Sequence, residues 1–472
     1  MKNFPVVRFG GAKNLYAAQM SHRPVIQTLK DLNASNNVSV KTLVLSIVIG
    51  TLVGFVGVFF EISTSWIFSH RSVLVAHWLE NKYAVAAATF AVSALLAGLS
   101  YYIVKKYAPE SGGSGIPEIE AAMQDLRPVR WWRVIPVKFF GGLGSLGSGM
   151  VLGREGPTVQ LGANIGQMVS DVGRVKDQDT RHTLLAAGSA AGLATAFNAP
   201  LAGILFVIEE MRAEFKYNLI SVKAVFVGAV MATIACRMVS GQSPILLLGN
   251  YAMPAQSTLW LYLLLGLMLG AVGISFNNFL LFLQQKFLNF YQNKMSRFVL
   301  TGALVGGCCG LFGLYLPQII GGGFDVVHQI AAGQIGWGLL LLVFALRFLT
   351  STISFSSGAA GGIFSPLLAL GASFGAIFGY GAEYLFPDSH LQMGSFAVVG
   401  MGALFAATVR APLTGIVLVM EMTTSYTLLL PMIITCFGAT LVAEVLGGRP
   451  LYTVLMEKIL ERNGIPYQRR EE

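Results

Sequence analysis

Residues 188–210 read GSAAGLATAFNAPLAGILFVIEE, and 212 positions further on residues 400–422 read GMGALFAATVRAPLTGIVLVMEM. Ten of the 23 positions are identical, Pro200 with Pro412 and Glu209 with Glu421 among them. The match runs through a helix-breaking Ala-Pro core, so shared apolar composition does not explain it. A second match lies at offset 209, where GREGPTVQLGANIG (153–166) falls over GIFSPLLALGASFG (362–375) with 6 of 14 positions identical and Pro157 over Pro366. Near-equal offsets in the same order make one duplicated unit, over 42–240 and 255–446, with a linker at 241–254. Repeats built from interrupted helices around a midplane site are a transporter design. Loop charges do not distinguish parallel from inverted halves; an odd number of crossings per half would invert them.

The solvent of these halves follows from composition. Of the 472 residues 54% are hydrophobic and 12% charged, whereas a soluble domain carries about 25% charged residues. Runs such as 42–62, 257–283 and 427–446 are long enough to cross a hydrocarbon core, which needs roughly 20 apolar residues. About ten such regions are expected, several too long or too broken by Gly and Pro to be one straight helix. The chain therefore reads as an all-α polytopic membrane protein.

The tail 1–41 carries Lys2, Arg8, Lys13, Arg23, Lys30 and Lys41 against Asp31, has no signal-peptide core, and is placed in the cytoplasm by the positive-inside rule. The segment 447–472, with Arg449, Lys458, Arg462, Arg469 and Arg470 beside four glutamates, also reads as cytoplasmic. The +9 net charge sits in these tails and in short loops such as 126–138, LRPVRWWRVIPVK, whose Trp131 and Trp132 suit an interface belt. Basic residues at membrane flanks argue against nucleic-acid binding. Cys236, Cys308, Cys309 and Cys436 lie in apolar runs without ligand spacing and read as packing residues. The six histidines are scattered, and no metal site is expected.

Three Gly-rich segments each end in a proline suited to a first helical turn: GSGIP (113–117), GREGP (153–157) and GIFSP (362–366). Proline there sacrifices no intrahelical bond, and glycine lets backbone approach a ligand closely. Each reads as a helix N-terminus at membrane depth. Such termini expose N–H groups and a partial positive charge, so several converging on one point form an anion site without a buried lysine. Non-helical backbone at that depth belongs along a cavity or inside protein.

Glu155 falls within one of these termini, where its carboxylate competes with an anion when ionised and leaves when protonated. The alternative is a structural acid paired with Arg154, but a charge at bilayer depth costs roughly 2.5–3.5 kcal/mol and marks a pathway. Arg154 reads either as added positive field or as one half of an ion pair. Glu209 and Glu210 close another apolar run, beside Arg212. Glu209 has its repeat counterpart in Glu421 and reads as structural, whereas Glu210 is matched by Met422 and is the asymmetric acid. Read singly, Ser114 is a helix cap and Tyr452 an interface tyrosine.

GSGIP, GREGP and GIFSP in that order, followed by a tyrosine near the C-terminus, resemble the signature of the CLC chloride channel and transporter family over roughly 42–460, closest to its bacterial proton/chloride exchangers. The resemblance implies a homodimer with a pore in each subunit, and tilted, broken helices in two inverted repeats. It implies a chloride ion held by the Ser114 and Tyr452 hydroxyls and the backbone N–H groups of Ile363 and Phe364. The filter would comprise Gly113, Ser114, Gly115, Ile116 and Pro117, then Gly153, Arg154, Glu155, Gly156 and Pro157, then Gly362, Ile363, Phe364, Ser365 and Pro366. Glu155 matches the family's external gate and proton acceptor, and Glu210 its internal proton-transfer acid.

Passive channels of the family usually lack that second acid, so the resemblance implies H+/Cl- antiport, with a gated passive chloride channel as the alternative. Chloride and protons are the expected substrates, no cofactor is expected, and Ser114 favours chloride over nitrate. With only a short segment after Tyr452, no nucleotide-sensing domain pair is expected, and the resemblance then implies a multi-pass protein of a bacterial inner membrane with both termini cytoplasmic. An intramembrane serine protease is the rival from another class, because GGSG (112–115) matches G-x-S-G. It would need a histidine base, and the best candidate, His182, lies in a charged stretch.

Overall fold

The structure is a computed structural model and describes residues 25–76, 81–211, 215, 217–246, 248–249 and 251–467. The first 24 residues of the basic tail, Arg212, Arg469 and Arg470 lie outside them. Among the described residues there are seventeen α-helices and no strand beyond a two-residue bridge. The first eight are α1 (Val25–Ala76), α2 (Lys82–Tyr107), α3 (Ile116–Met123), α4 (Trp131–Gly147), α5 (Glu155–Val172), α6 (Gln178–Phe197), α7 (Pro200–Glu209) and α8 (Leu219–Ser240). Eight more follow in the same order: α9 (Leu259–Tyr291), α10 (Met295–Tyr315), α11 (Phe324–Ala331), α12 (Trp337–Ser356), α13 (Phe364–Leu385), α14 (Met393–Val409), α15 (Pro412–Thr423) and α16 (Leu429–Val445). The last helix, α17 (Leu451–Arg462), has no counterpart.

The breaks are written in the sequence. Helix α6 stops where Asn198 turns left-handed (φ 49°), and α7 begins two residues later at Pro200. In the second half Arg410 turns left-handed (φ 71°) before Pro412 opens α15. Asparagine tolerates that conformation; arginine rarely adopts it. At Arg410 the guanidinium holds the bend, donating to the carbonyls of Thr440 (2.6 Å) and Gly448 (2.8 Å).

Equivalent helices of the two halves run antiparallel, which two contacts make plain. Glu209, closing α7, accepts from the N–H groups of Leu413 (3.0 Å) and Thr414 (2.7 Å) in the first turn of α15. Glu421, near the end of α15, accepts from Leu201 (3.2 Å) and Ala202 (2.8 Å) in the first turn of α7. Each tail therefore caps the other's head, and the repeats are inverted. The two glutamates satisfy first-turn amides that their own helices leave without partners. Replacing Glu421 with alanine is expected to destabilise the protein by about 1.5–3 kcal/mol, the worth of hydrogen bonds to a charged group. Thermal unfolding in detergent checks this, and an unchanged midpoint would mean that these amides need no acceptor.

Within each half the helices meet backbone to backbone. A Cβ on Gly162 of α5 would stand 2.1 Å from the Gly188 carbonyl oxygen of α6, and one on Gly371 of α13 would stand 2.3 Å from that of Gly400 in α14. Lipid leaves no hydrophobic drive between helices, so close van der Waals packing through small residues holds such pairs.

Three expectations are corrected. Among the described residues eight helices, rather than about ten, are long and apolar enough to cross a membrane singly. The repeat breaks account for the difference, because α7, α14 and α15 are apolar but only 10 to 17 residues long. The stretch 126–138 is not one basic loop either: α4 starts at Trp131, and Lys138 is fully buried. Trp132 remains exposed at 55%. Cys236, Cys309 and Cys436 are buried, while Cys308 is exposed on α10 rather than packed.

Candidate functional site

The three Gly-rich segments come together. Gly153 donates to the Gly362 carbonyl (2.8 Å) and Gly362 donates back to that of Gly153 (2.6 Å), a reciprocal pair between matching positions of the two halves. Gly113 donates to the Ala359 carbonyl (2.9 Å) and accepts from Gly361 (3.1 Å), so the first segment is laced to the third. The first also meets the second: a Cβ on Gly156 would lie 2.8 Å from that of Ser114. Gly115 has φ 88°, and a side chain there would run into Gln160 at 2.3 Å. Glycine is required on both counts.

From this knot start α3, α5 and α13, and in none of them does the N-cap residue's own side chain cap the first turn. Ile363 and Phe364 stand at the cap and first position of α13, where an amide has no carbonyl one turn behind it. Ser114 is buried, and its Oγ accepts from the Ile116 N–H at 3.3 Å, which leaves its hydrogen free to donate. The Tyr452 side chain on α17 is fully buried, and its hydroxyl has no hydrogen-bond partner among the described residues. Buried hydroxyls without partners are rare enough to need a reason.

Glu155 is fully buried. Its side chain folds back over Gly153, and its carboxylate accepts from the Ser365 hydroxyl and, at 3.5 Å, from the Ser365 N–H at the start of α13. The acid therefore sits on an opposing helix N-terminus, as an anion would, rather than on Arg154. Arg154 pairs with Glu61 of α1 at 2.6 Å. Glu210 follows the last residue of α7 and is half-buried. A cleft of about 810 Å³, lined by Ser114, Lys105, Arg127, Lys294, Arg462 and Glu118 among others, opens towards GSGIP.

The family model described as voltage gated chloride channel matches residues 96–444. The chain belongs to this family. As a CLC protein it is a membrane transport protein and not an enzyme; His182 pairs with Asp125 at 3.0 Å. It is 54% identical over 420 residues to the H(+)/Cl(-) exchange transporter ClcA of Salmonella paratyphi B, covering 89% of both chains. The X-ray structure of a slow cyanobacterial Cl-/H+ antiporter superposes with a TM-score of 0.86 at 38% identity, over 90% of this chain and 99% of the other. A eukaryotic CLC transporter shares the fold, with a TM-score of 0.73 at 23% identity over 89% of this chain and 74% of that one.

Several residues of this CLC site have no signature in the sequence. Lys138 Nζ donates to the carbonyls of Gly113 (2.7 Å) and Ser111 (3.0 Å), clamping the loop that presents Ser114. The Phe364 ring packs on Phe405 (4.8 Å), Phe206 (5.7 Å), Phe197 (6.3 Å) and Tyr452 (5.7 Å). These aromatics fix the first turn of α13, whose amides face the knot. Their only sequence signal is a run of apolar letters shared with every other span.

Proposed function

We propose that this CLC protein is a proton-coupled chloride antiporter. Chloride is its substrate and no cofactor takes part. It works as a homodimer with one pore per subunit, in a bacterial inner membrane with both termini cytoplasmic. The observation that carries the reading is the buried Glu155 carboxylate resting on the N-terminus of α13, inside a knot of three uncapped helix termini. Relatives named as H(+)/Cl(-) exchange transporters support it.

The mechanism follows from competition. Uncapped first-turn amides attract one negative charge, whether a chloride ion or the Glu155 carboxylate. Ionised, Glu155 fills the outer position; protonated, it is neutral, loses its hold and makes way for chloride. Chloride is then held by the amides of Ile363 and Phe364 and the hydroxyls of Ser114 and Tyr452, and leaves through the cleft at GSGIP. The proton passes by way of Glu210, the acid at the C-terminal cap of α7. The two routes have a common outer half and part towards the cytoplasm.

A reversal potential measured under a pH gradient tests exchange against conduction. In planar bilayers with equal chloride on both sides, an exchanger gives zero current away from zero voltage, displaced by the proton gradient. A reversal potential fixed at the chloride equilibrium value would make the protein a gated passive channel.

A further inference from the structure

The inverted repeat places two unlike residues in one spot. Gly153 and Gly362 pair across the local two-fold, so the residues just beyond them face each other. The first half contributes Glu155 where the second has Phe364, and the second contributes Ser365 where the first has Gly156. The result is a hydroxyl of α13 donating to the acid of α5, with both residues buried. Neither residue has such a partner in its own half.

We infer that Ser365 is a positioning residue, a latch that holds the ionised Glu155 carboxylate in the anion path. The inference rests on the reading of Glu155 as the gate. The Ser365 hydroxyl donates to a carboxylate oxygen, so it favours the ionised, path-filling form over a chloride ion that would have to displace it. Once Glu155 is protonated, its oxygens are weaker acceptors and the latch lets go. Among the described residues the other charged or titratable groups near the acid are Arg154 on its own segment, itself paired with Glu61 of α1, and Tyr452 on α17. Of the side chains around Glu155, that of Ser365 holds a direct hydrogen bond to its carboxylate.

Removing the hydroxyl leaves the ionised carboxylate with less to hold it, so a smaller proton concentration or less chloride opens the path. Liposomes containing the purified protein, with chloride efflux recorded from acid to neutral external pH, read this directly. Ser365→Ala is expected to move half-maximal flux to higher pH by about one unit, tenfold in proton concentration. It should also lower the chloride concentration for half-maximal flux, with protons still driven by a chloride gradient. Ser365→Thr, which keeps the hydroxyl, should return the profile towards that of the parent protein. Alanine needs less room than serine, and equal unfolding midpoints check that the fold is intact.

An unshifted profile in Ser365→Ala, alongside a Glu155→Gln protein that has lost its pH dependence, would overturn the latch and leave the gate standing. A Glu155→Gln protein that keeps its pH dependence would overturn the gate, and the latch with it.

Discussion

A Glu155→Gln protein reconstituted in liposomes is expected to let chloride run down its gradient while proton movement falls to the level of protein-free liposomes. Glutamine has almost the shape of glutamate, so the knot of GSGIP, GREGP and GIFSP should form unchanged. What it lacks is a charge that comes and goes. A neutral amide competes poorly with chloride for uncapped helix termini, since the attraction of those amides is for negative charge. It also cannot carry a proton between the outer solution and Glu210. The pH dependence of chloride flux should flatten, because in the parent protein protonation of the buried Glu155 clears the path. The measurement is simultaneous chloride and proton recording after imposing a chloride gradient. A variant that still drives protons uphill would show that the buried acid is a structural member of the helix start, stabilised by Ser365 and nothing more.

How much of this was legible before the structure differs from residue to residue, for a physical reason. The duplication, the helix breaks at Pro200 and Pro412, and the three termini follow from local chemistry: where Gly and Pro stand, a helix stops or starts. The structural character of Glu209 was readable from its counterpart Glu421, because a residue kept on both sides of a two-fold serves the scaffold. The service itself, each carboxylate capping the other half's helix, needed the fold, since the partners lie some 200 residues away. Lys138 was misread as a flank residue for the same reason. A basic residue six positions after Trp132 looks interfacial until the loop at Ser111 and Gly113 closes over it, 25 to 27 residues upstream. In the sequence Arg154 admits two readings, and its ion pair with Glu61, on another helix, decides between them. Ser365 carries no signal alone, because serine in a first helical turn is an ordinary cap. Its role exists only opposite Glu155.

Glu210→Gln should also stop proton movement, but by a different failure that leaves a distinct trace. Glu155 remains free to gain and lose its proton from outside, so chloride flux should persist and keep its dependence on external pH, unlike that of Glu155→Gln. What is lost is the onward step, since an amide at position 210 cannot accept the proton that Glu155 releases. The placement of Glu210 supports that division. It stands one residue beyond Glu209, which is committed to the α15 amides, and its repeat counterpart is Met422, so it has no scaffold duty mirrored across the two-fold. Coupled proton transport retained in Glu210→Gln would return Glu210 to the role of a helix-end acid and require another internal acceptor. Loss of pH dependence together with loss of protons would mean instead that the two acids act as one unit, with Glu155 unable to change charge unless Glu210 does.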